Sequence, residues 1–157
     1  MAEDRLQEAI QLESEIAHIK DLDLLMERIL TEARHIVRAD AGSIYLKVDG
    51  QLKFSYAQND TLQRRLPEGQ KLIYHTFSLP IDHTTIAGYA ASQGEELNIA
   101  DVYELPEDAP YKFGKEFDEK TQYRTRSLFT LPLKTWRGDT VGVLQIINAR
   151  DENGQIV

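Results

Sequence analysis

The sequence predicts an α+β domain in which helices pack against an antiparallel sheet, and three observations lead to this prediction. Apolar residues recur with helical spacing before residue 40, and strand-like alternation around short turns follows. The chain has 157 residues, which is enough for one domain whose core needs no metal or disulfide. A helical region followed by pairs of strands is typical of the α+β class.

The segment 127–148 is predicted to form a hairpin in the middle of the sheet. Its two strands, 127–134 and 140–148, are apolar on both faces, and such strands are usually buried on both faces. The short loop between them contains Gly138, which favours a hairpin turn. Gln145 is the exception, because it places an amide on an otherwise apolar face. A buried amide without hydrogen-bond partners costs about 1–3 kcal/mol. Either backbone or water satisfies this amide, or its face lines a ligand cavity.

The N-terminal region is predicted to contain two helices. The first covers residues 2–19 and carries a short heptad seam. That seam consists of Ala9, Leu12, Ile16 and Ile19. Residues 20–23 interrupt the pattern, and Asp21 or Asp23 can cap a second helix at 22–38. The amphipathic face that this second helix lays on the core is formed by Leu22, Leu25, Ile29, Ala33 and Ile36.

The middle of the chain is predicted to add a second hairpin and a short helix. Residues 43–57 alternate around Asp49-Gly50, which is a strong signal for a hairpin beside the first one. The polar loop that follows contains a short helix at 61–66, and a strand is expected within 72–79.

Residues 86–93 are predicted to form a further helix, which Gly94 ends. Gly88 within this helix costs about 1 kcal/mol relative to alanine, so a close approach of backbone or ligand is expected there. A short strand follows at 97–99, and after it comes a long loop at 100–123 with one helical turn near Asp118.

Composition excludes several classes of function. The formal net charge is −8, from 26 acidic and 18 basic residues, and no basic stripe for nucleic acid is visible. The absence of cysteine excludes disulfides, thiol catalysis, thiolate metal sites and cofactors attached through sulfur. The sequence has no apolar run typical of a signal peptide or membrane span, so a soluble cytoplasmic domain without membrane contact is expected.

Three stretches carry a family pattern: 85–102, 117–128 and, in the final hairpin, 131–133 with 142–148. Together they resemble the GAF domain family, and the resemblance extends from about Leu22 to the end of the chain. It is nearest to the members found in cyclic-nucleotide phosphodiesterases and bacterial signalling proteins. The resemblance implies a six-stranded antiparallel sheet, with long helices on one face. Short helices and loops would enclose a small-molecule pocket on the other face.

The resemblance also implies a regulatory role. Such domains control an attached output domain, here one such as an HD-GYP phosphodiesterase, and they often dimerise through their long helices. Residues 1–20 are accordingly expected to be a signalling and dimerisation helix that forms a homodimer, and residues 21–157 the sensor domain. The helix that usually follows the last strand is missing, which predicts a fragment of a longer protein.

Two departures from the family pattern bear on the ligand. Cyclic-nucleotide-binding members carry an Asn-Lys pair at the end of the last strand, whereas here Asn148 is followed by Ala149. Bilin-binding members attach their chromophore through a residue that is usually cysteine, which this chain lacks. Two functions stay open: a sensor for a cyclic nucleotide or another purine-like small molecule, and a ligand-free module that acts only in dimerisation and signal relay.

By resemblance to the cyclic-nucleotide-binding members, the ligand-binding residues are Ser43, Ala57, Gln58, Ile86, Ala87, Asp118, Thr121, Thr125 and Gln145. A helix that starts at Ile86 also leaves free backbone N–H groups, which favour an anion. Ile86 and Phe129 are expected to supply apolar walls. The alternative interpretation makes Asp118 a turn residue or helix cap, and it makes Thr121 and Thr125 bond locally, as threonine does in loops.

Catalytic and metal sites are not indicated by the sequence. Arg124 and Arg126 are better explained as surface charges or partners of nearby acids than as phosphate clamps. His83 stands alone near a helix start, without further ligands at metal-binding spacing. The sequence lacks a nucleophile–base spacing and a glycine-rich phosphate loop, so the chain is predicted to be regulatory and not an enzyme.

Overall fold

The computed structural model of this protein describes residues 2–74 and 76–157, and within the first helix it leaves the side chains of residues 16, 18 and 19 outside the description. Its strands form one six-stranded antiparallel sheet in the order β3-β2-β1-β6-β5-β4. The strands are β1 (Ala41–Val48), β2 (Gln51–Asn59), β3 (Ser78–Pro80), β4 (Leu97–Ile99), β5 (Leu128–Lys134) and β6 (Thr140–Ile147). The helices are α1 (Ala2–Val37), α2 (Asp60–Arg64), α3 (Ile86–Gln93) and α4 (Glu116–Thr121), with a 3₁₀ turn at Val102–Glu104. The predicted α+β class is confirmed.

Both predicted hairpins are present, and they lie side by side. The β1–β2 and β5–β6 hairpins join through the pairing of β1 with β6, so these two strands occupy the middle of the sheet. The short helix after β2 and the turn of helix near Asp118 are also where the sequence predicts them. The strand expected within 72–79 is shorter and later than predicted, because only residues 78–80 pair with β2.

The two faces of the sheet carry different cores, since alternate residues of each strand point to opposite faces. Ile44, Leu144 and Ile146 pack against α1 on one face. Tyr45 and Val143 belong to the opposite face, where α3 packs. Phe129 packs in the cluster under α1, so the prediction that it walls the ligand pocket is wrong.

The first helix is continuous over 36 residues, so the predicted break at residues 20–23 is wrong. Aspartate is tolerated on an exposed part of a helix, and Asp23 does not cap a new one. Its carboxylate instead accepts a hydrogen bond from the Tyr56 hydroxyl at 2.5 Å. Among the described residues, none of the helices has the length and apolar character needed to cross a membrane.

The face of α1 that covers the sheet agrees with the predicted one only at Ala33. Leu30 is completely buried, with Met26 and Ala33 beside it, whereas Leu25 is 52% and Ile36 is 81% exposed. The helix carries two apolar stripes about a quarter of a turn apart, and spacing alone does not say which one is covered. Gly42 of β1 determines which stripe is covered, because its missing side chain leaves room for Leu30. A Cβ at this position would lie 2.8 Å from the Leu30 Cδ1.

The helix α3 agrees with its prediction at both ends. The Thr85 hydroxyl accepts a hydrogen bond from the Gly88 amide at 3.0 Å, and Gly94 ends the helix in the left-handed conformation at φ 65°. A Cβ at Gly88 would overlap the carbonyl oxygen of Pro80 in β3. The close approach expected at Gly88 is therefore a contact between the backbones of α3 and β3, which packs α3 against the edge of the sheet.

Gly88→Ala should destabilise the domain, although alanine is the better helix former. The added methyl group forces α3 away from Pro80, and overpacking of this kind costs about 1–3 kcal/mol. Urea unfolding measures the loss, with Ser92→Ala on the exposed side of the same helix as the control. An unchanged or higher midpoint for Gly88→Ala would contradict the proposed contact with β3.

Candidate functional site

A cavity of about 620 Å³ lies on the sheet face opposite α1. Its floor is formed by β1, β2, β5 and β6, and its cover by Ile73, Tyr74 and Phe77, the start of α3 and the segment 112–121. The volume falls within the range of roughly 300–1,000 Å³ that small-molecule sites occupy. The geometry is therefore that of a ligand site between a rigid sheet and three covering segments.

The structure brings every residue of the predicted ligand set to the border of this cavity. These residues are Ser43, Ala57, Gln58, Ile86, Ala87, Asp118, Thr121, Thr125 and Gln145. They come from separate parts of the chain, and the pairing of β1 with β2 and β6 sets Ser43 opposite both Ala57 and Gln145. Proximity does not give these side chains the same role, because several of them already have partners inside the protein.

Three polar side chains lie in a row across β1, β6 and β5 on the cavity side of the sheet, and two of them, Ser43 and Gln145, border the cavity. Ser43, Gln145 and Thr130 are buried and lie opposite one another in the register of β1, β6 and β5. The Gln145 Nε2 donates to the Thr130 hydroxyl at 3.3 Å. No described residue forms a hydrogen bond with the Gln145 Oε1 or the Ser43 hydroxyl, so both groups are available to a ligand.

The N-terminus of α3 lies beside the same space. Ile86 and Ala87 are buried and border the cavity, and within the described chain their amides have no hydrogen-bond partner. Thr85 already satisfies the next amide in the helix, that of Gly88. Free amides of a first turn carry partial positive charge, which makes this the most favourable position for an anionic group.

Asp118 ties the cavity cover together. One carboxylate oxygen accepts from the Tyr103 hydroxyl at 2.6 Å and from the Thr125 amide at 2.9 Å, and the other accepts from the Thr125 hydroxyl at 2.9 Å. Burial is the main cause that raises the pKa of Tyr103 to about 12, and the hydrogen bond to Asp118 is the second cause. Asp118 is thus neither a turn residue nor a helix cap, and it fastens α4 to the 3₁₀ turn and to the segment before β5.

Two other predicted ligand residues are also engaged inside the protein. The Thr121 hydroxyl donates to the Phe117 carbonyl at 2.7 Å, which is the local bonding that its alternative interpretation predicts. The Gln58 amide accepts from Arg34 at 2.6 Å and donates to the Thr31 hydroxyl at 2.9 Å. The polar group of Gln58 therefore binds α1 on the other side of the sheet.

The two arginines and His83 near the site agree with their simpler interpretation. Arg124 stacks over the Tyr103 ring at 4.1 Å, and Arg126 lies 4.0 Å from the Asp101 carboxylate. His83 packs against a tyrosine ring and forms a side-chain hydrogen bond with a glutamine. In the part of the chain that the structure describes, no group of three His, Cys, Asp or Glu side chains could hold a metal ion.

Sequence reasoning missed the aromatic side of the cavity. This side is formed by Tyr45, Phe54, Tyr74, Phe77 and Phe117. The Phe54 and Phe77 rings stack at 4.8 Å, and the Tyr74 and Phe117 rings stack at 6.4 Å. Alternation in 51–57 places Phe54 and Tyr56 on one face, but an irregularity in the β1–β2 pairing separates them. The signal available in the sequence was two closely spaced aromatic pairs, at positions 54 and 56 and at positions 74 and 77.

Comparison with known proteins gives a consistent result. The family model of the GAF domain matches residues 21–155. The probable 3′,5′-cyclic phosphodiesterase pde-5 of Caenorhabditis elegans is 33% identical over 140 residues, covering 85% of this chain and 18% of that protein. The chain thus spans less than a fifth of the length of this curated relative.

Solved structures share the fold at low sequence identity. The GAF region of a putative membrane protein from Geobacter sulfurreducens has a TM-score of 0.58 at 15% identity, covering 88% of this chain and 85% of that one. The GAF domain of A. aeolicus nlh2 has a TM-score of 0.56 at 15% identity, with 81% and 68% covered. That of a phosphoenolpyruvate-protein phosphotransferase from Coxiella burnetii has a TM-score of 0.54 at 20% identity, with 77% and 63% covered. With the sheet order, the cavity on one face of the sheet and the match over residues 21–155, the chain belongs to the GAF domain family.

Proposed function

We propose that this GAF domain is a sensor that binds a purine-like small molecule and controls an attached output domain. The first candidate for the ligand is a cyclic nucleotide. The observation that carries the proposal is the cavity, whose buried floor presents an amide oxygen and a hydroxyl without partners in the described chain. Both residues border the cavity, so a ligand without matching polar atoms would leave each group unpaired at a cost of about 1–3 kcal/mol, whereas a ligand with matching polar atoms satisfies them.

The chemistry of the cavity suits a ring that carries an anionic group. The aromatic side chains offer apolar contact to the faces of a ring, and Gln145 offers both a donor and an acceptor to its edge. The free amides at the start of α3 suit a phosphate. They contribute at most about 2 kcal/mol, whereas micromolar binding needs about 8 kcal/mol, so burial of the ring supplies most of the affinity.

The curated relative supports a proposal for the output domain. The C. elegans relative is named as a probable 3′,5′-cyclic phosphodiesterase and is more than five times as long as the region it shares with this chain. We propose that here too the GAF domain regulates an attached enzyme, such as an HD-GYP phosphodiesterase of a bacterial-type signalling protein. The catalytic activity then belongs to that enzyme.

A second candidate function is a ligand-free module for dimerisation and signal relay. It is favoured by Asp118, Thr121 and Thr125, whose polar side chains already have partners within the protein. A cavity with fewer free polar groups binds a polar ligand less strongly. The binding measurement described below distinguishes the two functions.

We also propose that α1 forms a homodimer. The exposed apolar stripe along its second half is formed by Leu22, Leu25, Ile29 and Ile36. Its steps of three, four and seven residues are those of a heptad seam. In the predicted seam of the first half, Ala9 and Leu12 are exposed, whereas the side chains of Ile16 and Ile19 lie outside the described residues. Helices in proteins are stabilised mainly by packing of an apolar face, so a partner helix that covers both exposed parts explains them.

Gln145→Leu should weaken the binding of cyclic AMP or cyclic GMP by roughly tenfold or more, because the leucine keeps the size but loses both polar atoms. Isothermal titration calorimetry measures the effect, and Gln155→Leu makes the same change at an exposed glutamine. Equal affinities for the Gln145 variant and the wild type would remove the glutamine from the site. Absence of binding to the wild type at millimolar concentration would favour the ligand-free function.

Asp118→Ala should lower stability as well as affinity, because the Thr125 amide and two hydroxyls lose their acceptor. The expected cost is about 1–3 kcal/mol in the free energy of unfolding in urea. Glu119→Ala, at the exposed neighbour, is the control. A variant that keeps full stability and loses only affinity would show that Asp118 acts directly on the ligand and not by holding the cover.

Leu25→Asp combined with Ile29→Asp should convert a dimer to a monomer, because two carboxylates in the seam must be buried without partners. Leu24→Asp, which is 70% exposed on another side of the helix, should leave the dimer intact. Sedimentation equilibrium measures both. A wild-type chain that stays monomeric at about 100 µM, which corresponds to about −5.5 kcal/mol, would refute the dimer.

A further inference from the structure

The helix α1 extends well beyond the sheet that it covers. Leu30 packs against Gly42 near the start of β1, and Asp23 and Glu27 lie beside the end of the same strand, so α1 runs antiparallel to β1. Residues 2–22, which we call the arm, therefore project past the end of the sheet, and at 1.5 Å per residue they span about 30 Å. Every side chain that the structure describes in the arm is exposed. Helices in proteins are stabilised mainly by packing of an apolar face, so the arm is expected to pack against a surface other than its own sheet.

An apolar groove lies beside α1 on the same face of the sheet. Its floor is formed by Phe129, Leu131 and Leu133 of β5. These side chains are only partly buried, whereas the alternate residues of β5, on the cavity side, are buried. Thr31 binds Gln58 of β2, and Ile29 lies about 200° around the helix from Thr31. The exposed stripe of α1 therefore points away from β2 and toward β5, where it forms the wall of the groove.

The apolar seam of the arm has the phase needed to cover such a floor. Leu12 lies 18 residues before Leu30, which is five turns of an α-helix, so both side chains point in the same direction. Leu30 is the residue that α1 buries completely against its own sheet, whereas Leu12 is 57% exposed. A second sheet placed end to end with the first would be covered by the same side of the same helix. The β5 groove of a second copy is such a surface, and its length of about 23 Å fits within the arm.

Charge favours one orientation of two copies. The arm carries six acidic and two basic residues, whereas residues 23–38 carry three of each. A parallel pair of helices would place one arm against the other, where their excess negative charges repel. An antiparallel pair places each arm against the neutral second half of the partner helix. It also brings the N-terminal end of each helix toward the C-terminal half of the other, which suits the helix dipoles.

We propose that the arm of one copy binds in the β5 groove of a second copy, and that the two copies exchange their arms across a two-fold axis. This inference rests on the homodimer of the proposed function and names the surface that the partner helix occupies. Each arm lies beside the exposed stripe of the partner's α1 and covers Leu131 of the partner subunit. The exchange covers the arm and the groove together, and because the same surfaces meet in both directions, it closes at two copies.

The absence of cysteine allows the arrangement to be measured with a single spin label. Glu3 is exposed on the side of α1 opposite to Leu12, so a nitroxide on Glu3→Cys leaves the seam intact. In the exchanged dimer Leu12 lies near Leu30 of the partner subunit, and the two N-terminal ends point away from each other. Pulsed dipolar spectroscopy should therefore give about 50 Å between the two labels.

A parallel pair of helices would hold the same labels within about 20 Å of each other. A distance in that short range overturns the exchange of arms and leaves the homodimer intact. A chain that is monomeric in sedimentation equilibrium overturns the homodimer and the exchange with it. Neither result bears on the binding of a small molecule in the cavity.

Leu131→Asp tests the floor of the groove. The new carboxylate must be buried without a partner beneath an acidic arm, so the dissociation constant of the dimer should rise by about tenfold or more. Ile73→Asp makes the same kind of change at a side chain that is 85% exposed on the cavity cover, and it should leave the constant unchanged. Circular dichroism checks that both variants are folded, and the label distance in the Glu3→Cys chain decides the case if Leu131→Asp does not fold. An unchanged dissociation constant for folded Leu131→Asp overturns the role of the groove.

Discussion

The structure depends on a buried polar network at the edge of the sheet where α1 ends and β1 begins. The Asp40 carboxylate accepts hydrogen bonds from the Thr61 hydroxyl at 2.6 Å and the Tyr123 hydroxyl at 2.8 Å. The Tyr123 hydroxyl in turn accepts from the Asn148 amide at 2.9 Å, and the Asn148 side-chain oxygen accepts from the Arg126 and Ser127 amides. Buried polar networks stabilise a fold only when every member has its partners, and here each one joins segments distant in sequence. The network fixes the start of β1, the start of α2, the approach to β5 and the end of β6 relative to one another.

The same edge connects the cover of the cavity to the long helix. Arg65, at the end of α2, donates to the Thr121 and Gln122 carbonyls at the end of α4, at 3.0 Å and 3.3 Å. At the other end of α2, Asp60 forms an ion pair with the buried Arg34 of α1 at 2.5 Å. The helix α2 is thus held to α4 at one end and to α1 at the other. Under the proposed function, a movement of α4 around a ligand reaches α1 through a single short helix.

Sequence reasoning succeeded where local chemistry decides the structure and failed where packing decides it. The Asp49-Gly50 turn, the Thr85 cap and the Gly94 end are local, and the elements that they bound were predicted correctly. The covered face of α1 was predicted only at Ala33, because the helix has two apolar stripes and the choice between them depends on how the helix packs against Gly42 of β1. The resemblance to the family located the cavity border, but it did not indicate that Asp118 and Gln58 already bind other parts of the protein.

The division between engaged and free polar groups assigns different tasks to the two sides of the cavity. On the cover, Asp118 and Thr125 bind each other, so these groups shape the cavity more than they recognise a ligand. On the floor, Ser43 and Gln145 lie on central strands of the sheet, where their positions are fixed by pairing on both sides. Polar groups on such rigid elements are preorganised, so little conformational entropy is lost when they bind. Under the proposed function, selectivity for the ligand resides mainly in the sheet, while the covering segments connect its binding to α1.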